Sequence, residues 1–565
     1  MDRTKVSDIP YERVKIEDVT AGIDRAIEKI GKATSADDVL AARDLFNDIL
    51  CEFTTANALA NARFTLNTKD EYYYGEKQYY DEVTPICEVK MLDYIDAFLN
   101  SRYIAEVEKR INPVIIRSFE VRKKAVSDKI VAEMQQDNAL VTEYSKFVSE
   151  LTYEFRGKKI TLNELRKYAQ DSDRATRKEA YCALGATLEE NHEFIDGVFD
   201  RMVKNRDAMA KKMGYKNFVE LGYYRMGRLD YDADTVKVFR ENVLKDIVPV
   251  VTRLKKSVAE KLGIGHMRLY DNDTYFDEDP KPVLDSVGIL KAGQEMYREM
   301  SEETGDFMDM MMETDAFDVF TREGKWTGGY MTSFDKYHQP FIFANFNGTT
   351  ADVDVITHEA GHAFAYYMSE ATTPYELGLG GMETAETHSM SMEFFAWKYI
   401  DKFFGKNADK YRYKHLFDSL TFIPYGTIVD YFQQIVYERP EMTPEERDAE
   451  WKKLEDTFRP WMDADDVPYL SKGTRWQYQN HIFESPFYYI DYCLAQTIAI
   501  EFLAESQKDY GKAFKAYLQH ASRGGSYVFT DLVKLAGLKS PFEKGALKEV
   551  AATAERLLNE LSEKL

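Results

Sequence analysis

One stretch constrains this chain more than any other: Asp354-Val-Ile-Thr-His358-Glu359-Ala-Gly-His362-Ala-Phe-Ala-Tyr-Tyr-Met368. It contains His-Glu-x-x-His, and residues four apart on a helix lie on one face a turn apart. There His358 and His362 can both reach a single metal ion. Glu359 projects beside them, placed to take a proton from a metal-bound water. The flanking residues support a helix independently: Ile356, Ala360, Ala363, Phe364 and Tyr367 recur at helical spacing and form the expected buried stripe. Gly361 is a poor helix former, costing about 1 kcal/mol against Ala. Its missing side chain is expected to let something approach closely. The motif fixes only three positions, so its reading rests on what else the chain supplies: a third ligand, a dry cleft and a strand that can hold substrate.

Composition narrows the possibilities. With 30% charged and 44% hydrophobic residues over 565 positions, the chain reads as an ordinary globular protein long enough for several domains. A formal charge of −23 argues against nucleic acid or anionic membrane as a partner, since both need basic surface. The four cysteines (Cys51, Cys87, Cys182, Cys493) form no CxxC, so neither a thiolate zinc site nor a disulfide framework is indicated. Cys182 and Cys493 sit in apolar contexts and are expected in the core. The N-terminus lacks an apolar signal region and no apolar run reaches eighteen residues, so the expected compartment is the cytosol.

Along the chain, residues 1 to about 150 read as successive long helices. Ser35 and Asp38 form a capping box. A helix from about Asp70 to Phe98 is expected to break or kink near Pro85, and another covers roughly Val114 to Gln135. Tyr153, Phe155, Gly157, Ile160 and Leu162 read as a short hairpin, after which Thr161 and Glu164 cap a helix. The acidic residues of 265–285, including Asp271, Asp273, Asp277 and Asp279, lack calcium-loop spacing and read as solvated. Phe317–Phe320 and Trp326–Tyr330 are expected to pair as a hairpin around Arg322–Lys325, and Pro340–Phe346 reads as a further strand. Helix dominates to the end. The fold class is therefore mainly α with a small β-sheet beside the metal-site helix, divided into an N-terminal helical lobe (1–165) and a catalytic domain (166–565).

A hydrolytic zinc site takes three protein ligands and keeps one position for water. Downstream of the motif helix, Glu383, Glu386 and His388 compete for the third place, and spacing alone does not choose among them. Glu386 and Glu393, seven apart, share a face, so one can ligate while the other supports the site.

The residues His358-Glu359-Ala-Gly-His362, then Glu386-x-x-Ser389-Met390-x-x-Glu393, then His481-Ile-Phe-Glu-Ser-Pro-Phe-Tyr488-Tyr489-Ile-Asp-Tyr492 together resemble the oligoendopeptidase F branch of the thimet oligopeptidase family of zinc metallopeptidases. Weaker similarity extends from about residue 150, through Gly157, Asp173-Arg174 and Arg206, to Gly524-Gly525-Ser526. The resemblance implies one zinc ion held by His358, His362 and Glu386, with Glu359 as general base. It implies that His481 and the tyrosines at 488–492 bind substrate and stabilise the tetrahedral intermediate. Among these, Tyr489 and Tyr492 share a helical face and are favoured over Tyr488. The thimet branch carries a longer Gly-rich loop where this chain has Ser485-Pro486. The resemblance further implies a two-lobed helical body whose channel admits only short peptides.

A peptide can add as a strand to a sheet edge, gaining main-chain hydrogen bonds independent of its sequence. Gly329, Ala344 and Asn345 are the residues expected to serve it, with Tyr488 as a further contact. The expected function is hydrolysis of internal bonds in short peptides. The alternatives are a zinc exopeptidase, which needs a charged grip on a substrate terminus, and a non-catalytic peptide binder, which has no use for Glu359.

Overall fold

The computed structural model describes residues 3–326 and 328–565. Local signals set many of its boundaries. Ser35 and Asp38 exchange capping hydrogen bonds to open α1 (Ala36–Leu66), and Asp70 caps α2 (Glu71–Leu99). Pro85 does not end α2: Tyr80, Val83 and Cys87 are buried around it, and that burial carries the helix past the lost hydrogen bond. The helix expected over 114–135 is two helices, α3 (Pro113–Ala125) and α4 (Val131–Glu150), because Val126 turns to extended backbone. β1 (Tyr153–Phe155) and β2 (Lys158–Ile160) form the expected hairpin, with Arg156 and Gly157 both at positive φ in its two-residue turn. Thr161 and Glu164 cap α5 (Leu162–Ala169), so Leu162 begins a helix rather than extending β2.

The chain divides into two compact units, each built from three stretches. The first comprises Met1–Asp128, Lys281–Ala408 and Glu505–Leu538. It holds helix α6 (Ser286–Met300) and a three-stranded sheet of β3 (Phe317–Phe320), β4 (Tyr330–Phe334) and β5 (Gln339–Phe346) in the order β3-β5-β4. The expected β3–β4 hairpin is corrected here. β5 lies between them, parallel to β3 and antiparallel to β4, and the true hairpin is β4–β5 around His338 at positive φ. The physical reason lies in Lys325. Its ammonium is buried, donating to the Asp318, Phe320 and Ala344 carbonyls and pairing with the Asp318 carboxylate at 2.7 Å. That anchor makes 321–329 an internal loop rather than a turn; Thr327 within it lies outside the described residues. Leu59 and Ala62 of α1 pack with Phe334, Phe341 and Phe343 of the sheet. Helices α7 (Thr350–Ser369) and α8 (Met382–Phe395) follow, and α7 packs against β4 and β5.

The second unit comprises Lys129–Pro280, Asp409–Ala504 and Lys539–Leu565. Its elements include most of α9 (Ala408–Glu438), the short α10 (Asn480–Glu484) and most of α11 (Tyr489–Lys508). The expectation that the acids of 265–285 are solvated holds for Asp273, Asp277 and Asp279 but fails for Asp271. Asp271 is fully buried and paired with Arg174 at 2.7 Å and Arg177 at 2.9 Å, which satisfy the charge that water would otherwise take. Cys493 is buried as expected, whereas Cys182 is only half-buried. Among the described residues, no helix is long and apolar enough to cross a membrane.

Candidate metal centre and donor cluster

α7 is set by the strand before it. Asn347-Gly348 follow β5, and the buried Asp352 carboxylate accepts from the Asn347 and Gly348 amides at 3.0 and 2.8 Å, fixing the turn and the helix start. Ile356, Ala360, Ala363 and Phe364 are fully buried as the periodicity requires, and Tyr367 is half-buried. Tyr297 of α6 donates to the Ile356 carbonyl at 2.9 Å. Gly361 answers its own question. A Cβ built there would meet the Ser389 Cα at 2.7 Å and the His388 carbonyl at 3.1 Å, so the glycine admits the backbone of α8.

That close crossing brings three candidate ligand side chains together. One atom each from His358, His362 and Glu386 lies within 4.8 Å of the other two. The Glu386 Oε2 is 3.5 Å from His358 Nε2 and 3.7 Å from His362 Nε2. Two imidazoles and one carboxylate are a fitting donor set for zinc. Of the three rivals for the third position, Glu386 is the one in this group. His388 packs its ring 4.9 Å from that of His520, fully buried, and the Glu383 carboxylate folds back beside Gly381.

Glu393 closes the arrangement from behind. His358 Nδ1 and Glu393 Oε1 are 2.6 Å apart, so the ring donates there and turns Nε2 toward the ligand group. Burial alone pushes the His358 imidazolium down, but hydrogen bonds to Glu386 and Glu393 outweigh it and hold the ring well above its ordinary value. For His362, burial outweighs the attraction of Glu386 at 3.7 Å and draws its value down. Ser389 Oγ donates to the Glu386 carbonyl at 3.0 Å and lies 3.4 Å from its Oε2. Glu359 is half-buried on the same helix, between His358 and His362 in sequence.

The second unit gathers His481 with all three tyrosines. The His481 ring lies 4.9 Å from Tyr489, 5.9 Å from Tyr492 and 6.0 Å from Tyr488; Tyr489 and Tyr492 are 5.6 Å apart, and Tyr488 and Tyr492 4.7 Å. Burial raises the Tyr489 phenol well above its usual value, so it stays protonated as a donor. The link between His481 and these tyrosines is a turn in which Phe487 takes a left-handed φ of 68°. Buried arginines hold it on both sides. Arg206 donates to the Phe483 carbonyl at 2.5 Å, and Arg228 donates to the Phe487 carbonyl at 2.5 Å and to Asp491 at 2.9 Å. Gln433 Oε1 accepts from the Phe487 amide at 3.0 Å. Arg228, Gln433 and Asp491 had no local signal in the sequence; only the fold brings them together.

The residues expected to hold substrate near the sheet are placed differently from one another. Ala344 is buried in the central strand, and its carbonyl accepts from Lys325. Asn345 donates to the Trp326 and Gly328 carbonyls at 2.8 and 2.9 Å, tying down the loop before β4. Gly329 is exposed immediately before β4, which is an outer strand.

Comparison with known proteins gives a consistent picture. Residues 167–552 match the family model described as peptidase family M3, and residues 6–126 match that of the peptidase M3 N-terminal domain. The solved structure of PZ peptidase A with an inhibitor is 40% identical, with a TM-score of 0.93 over 98% of this chain and 99% of its own. A Bacillus anthracis str. Ames structure named for oligoendopeptidase F is 36% identical, with a TM-score of 0.89 and full coverage of both chains. Oligopeptidase PepF of Bacillus subtilis (strain 168) is 21% identical over 81% of this chain and 68% of its own. The match to group B oligopeptidase PepB of Streptococcus agalactiae, at 24% identity, takes in 40% of this chain and spans about a third of that protein, 36% of its length.

Proposed function

This chain belongs to peptidase family M3, in its oligoendopeptidase F branch, and from that premise we propose that it is a zinc-dependent oligoendopeptidase that cuts internal bonds of short peptides. The observation that carries the proposal is the convergence of His358, His362 and Glu386, with Glu359 on the same helix. These three residues would hold the zinc. When bound, zinc supplies Lewis-acid chemistry, acidifying water to a pKa of roughly 7 and polarising a carbonyl.

The remaining work falls to side chains. Glu359 accepts the proton of the attacking water and returns it to the leaving amine. Glu393 keeps the His358 ring turned with Nε2 outward. His481, Tyr489 and Tyr492 donate hydrogen bonds to the oxyanion as it forms, each donor typically worth about 3 kcal/mol, with Tyr488 as a substrate contact. The outer strand β4, entered from Gly329, is the edge a substrate backbone would join, and Asn345 shapes the loop beside it. Binding through the main chain favours tolerance of many sequences. The site of action proposed is the cytoplasm.

The test is an internally quenched peptide blocked at both ends, offered to wild type and Glu359→Gln with bound zinc measured in each. The expected result is cleavage by wild type, a loss of about 10²–10⁴-fold in the variant, and zinc retained by both. Cleavage confined to free-ended peptides makes the protein an exopeptidase instead. Absence of zinc from both proteins sinks the proposal.

A further inference from the structure

His481 is joined to a chain of hydrogen bonds that the proposed mechanism leaves unused. Gln479 Nε2 lies 3.0 Å from His481 Nδ1. On its other side, the Gln479 Oε1 accepts from the Tyr425 hydroxyl at 2.5 Å. An amide oxygen only accepts and an amide nitrogen only donates, so with the Tyr425 hydroxyl donating to the oxygen the other end offers an N–H.

Tyr425 is itself held from several directions. Its ring lies under two guanidinium groups, Arg475 at 4.9 Å and Arg459 at 5.3 Å, and meets Tyr489 edge-on at 6.0 Å. Glu455 bridges the two arginines at 2.8 and 3.3 Å, and Arg475 Nε donates to Tyr478. Burial raises the Tyr425 phenol, so its hydroxyl keeps the proton it donates. The Gln479 backbone is pinned as well, its amide donating to the Trp476 carbonyl at 3.0 Å.

We propose that Tyr425 and Gln479 are positioning residues that fix the tautomer of His481. The hydroxyl of Tyr425 occupies Oε1 of Gln479, the amide NH2 therefore faces Nδ1, and Nδ1 accepts. The proton of the neutral imidazole then resides on Nε2, making His481 a donor at that atom and nowhere else. Hydrogen-bond donation to an oxyanion needs that form, and a ring protonated at Nδ1 instead presents a lone pair that repels it. The role of this donor rests on the mechanism proposed above; the tautomer itself does not.

The measurement is a long-range nitrogen–proton NMR spectrum of protein labelled with 15N-histidine, at a pH where the ring is neutral. The His481 signals are identified by their loss in His481→Gln. In wild type, Nδ1 is expected bare and Nε2 protonated. Gln479→Glu is nearly the same shape but puts an acceptor against Nδ1, so Nδ1 becomes protonated, and at alkaline pH kcat falls about a hundredfold with KM little changed. Tyr425→Phe releases the amide, and both tautomers appear. A wild-type spectrum with the proton on Nδ1, or a spectrum unmoved by both substitutions, overturns the proposal. Full activity in His481→Phe, which has no donor, overturns instead the donor role assigned to His481, while the spectra still decide the tautomer.

Discussion

The metal centre of the first unit and the donor cluster of the second solve the same problem, holding a few polar atoms in fixed directions, by different means. The metal centre is made of two helices and one glycine. The side chains proposed as its ligands project from regular backbone, and their convergence follows from how closely α8 crosses α7 at Gly361. The donor cluster sits on either side of an irregular turn with a left-handed Phe487. There, helix geometry settles little, and buried guanidinium groups from distant parts of the chain grip the backbone carbonyls. Regular structure can be positioned by packing. An irregular turn has to be held by hydrogen bonds, each of which must be present.

The comparison breaks most visibly at Arg228. The side chains of this residue and Asp491 are both about 1% exposed, and Tyr231 donates to the same Asp491 oxygen at 2.9 Å. Arg228→Ala leaves a buried carboxylate without its cation and a carbonyl without its donor, a loss of about 3–5 kcal/mol. Denaturant unfolding is expected to show that loss. Zinc binding by the folded protein is expected to survive, because its ligands belong to the other unit, while kcat falls. Loss of zinc together with stability in the folded fraction would mean that the two regions are not positioned independently.

How much of each region was legible follows from the same contrast. Helical periodicity is a local signal, so His358, His362, Glu359, the buried face of α7 and the close approach at Gly361 could all be read from one short stretch. The third ligand was not settled by spacing, since Glu383, Glu386 and His388 all lie within a turn and a half; the resemblance to a family chose Glu386, and the crossing of α8 explains the choice. The sheet was misread where its pairing is non-local. Alternation cannot reveal that β5 inserts between β3 and β4, nor that Lys325, a residue that ordinarily faces water, is the buried anchor of the loop between them. The same bias hid Asp271 and Arg228. A charged residue looks solvated in sequence, and the partner that reverses this lies 263 positions away for Arg228.

A second break in the comparison comes at Gly361. In Gly361→Ala the added methyl meets backbone, the Ser389 Cα at 2.7 Å, rather than a side chain that can rotate away. The helices must separate, with overpacking expected to cost about 1–3 kcal/mol. Because Glu386 and Ser389 share α8, that separation also carries the third ligand away from His358 and His362. Zinc affinity is therefore expected to fall more steeply than thermal stability, measured by chelator competition beside a melting curve. A melting temperature that falls while zinc affinity holds would show that the ligand set does not depend on the spacing of the two helices.

The smallest expected effect sharpens the comparison rather than breaking it. Glu393 works within the metal centre as the donor cluster does, through a hydrogen bond that fixes a ring. Glu393→Gln keeps its shape and leaves an oxygen able to accept from His358 Nδ1, but removes the charge. If packing of α7 against α8 does most of the positioning, the ring stays in place and the variant loses only the added basicity of the ligand. The expected result is zinc affinity lower by about tenfold, the mild end of what such supporting groups contribute, with an unchanged melting curve and kcat restored at saturating zinc. A loss that excess zinc does not restore would mean that the His358 ring has turned. The metal centre would then depend on single hydrogen bonds as fully as the turn at Phe487 does.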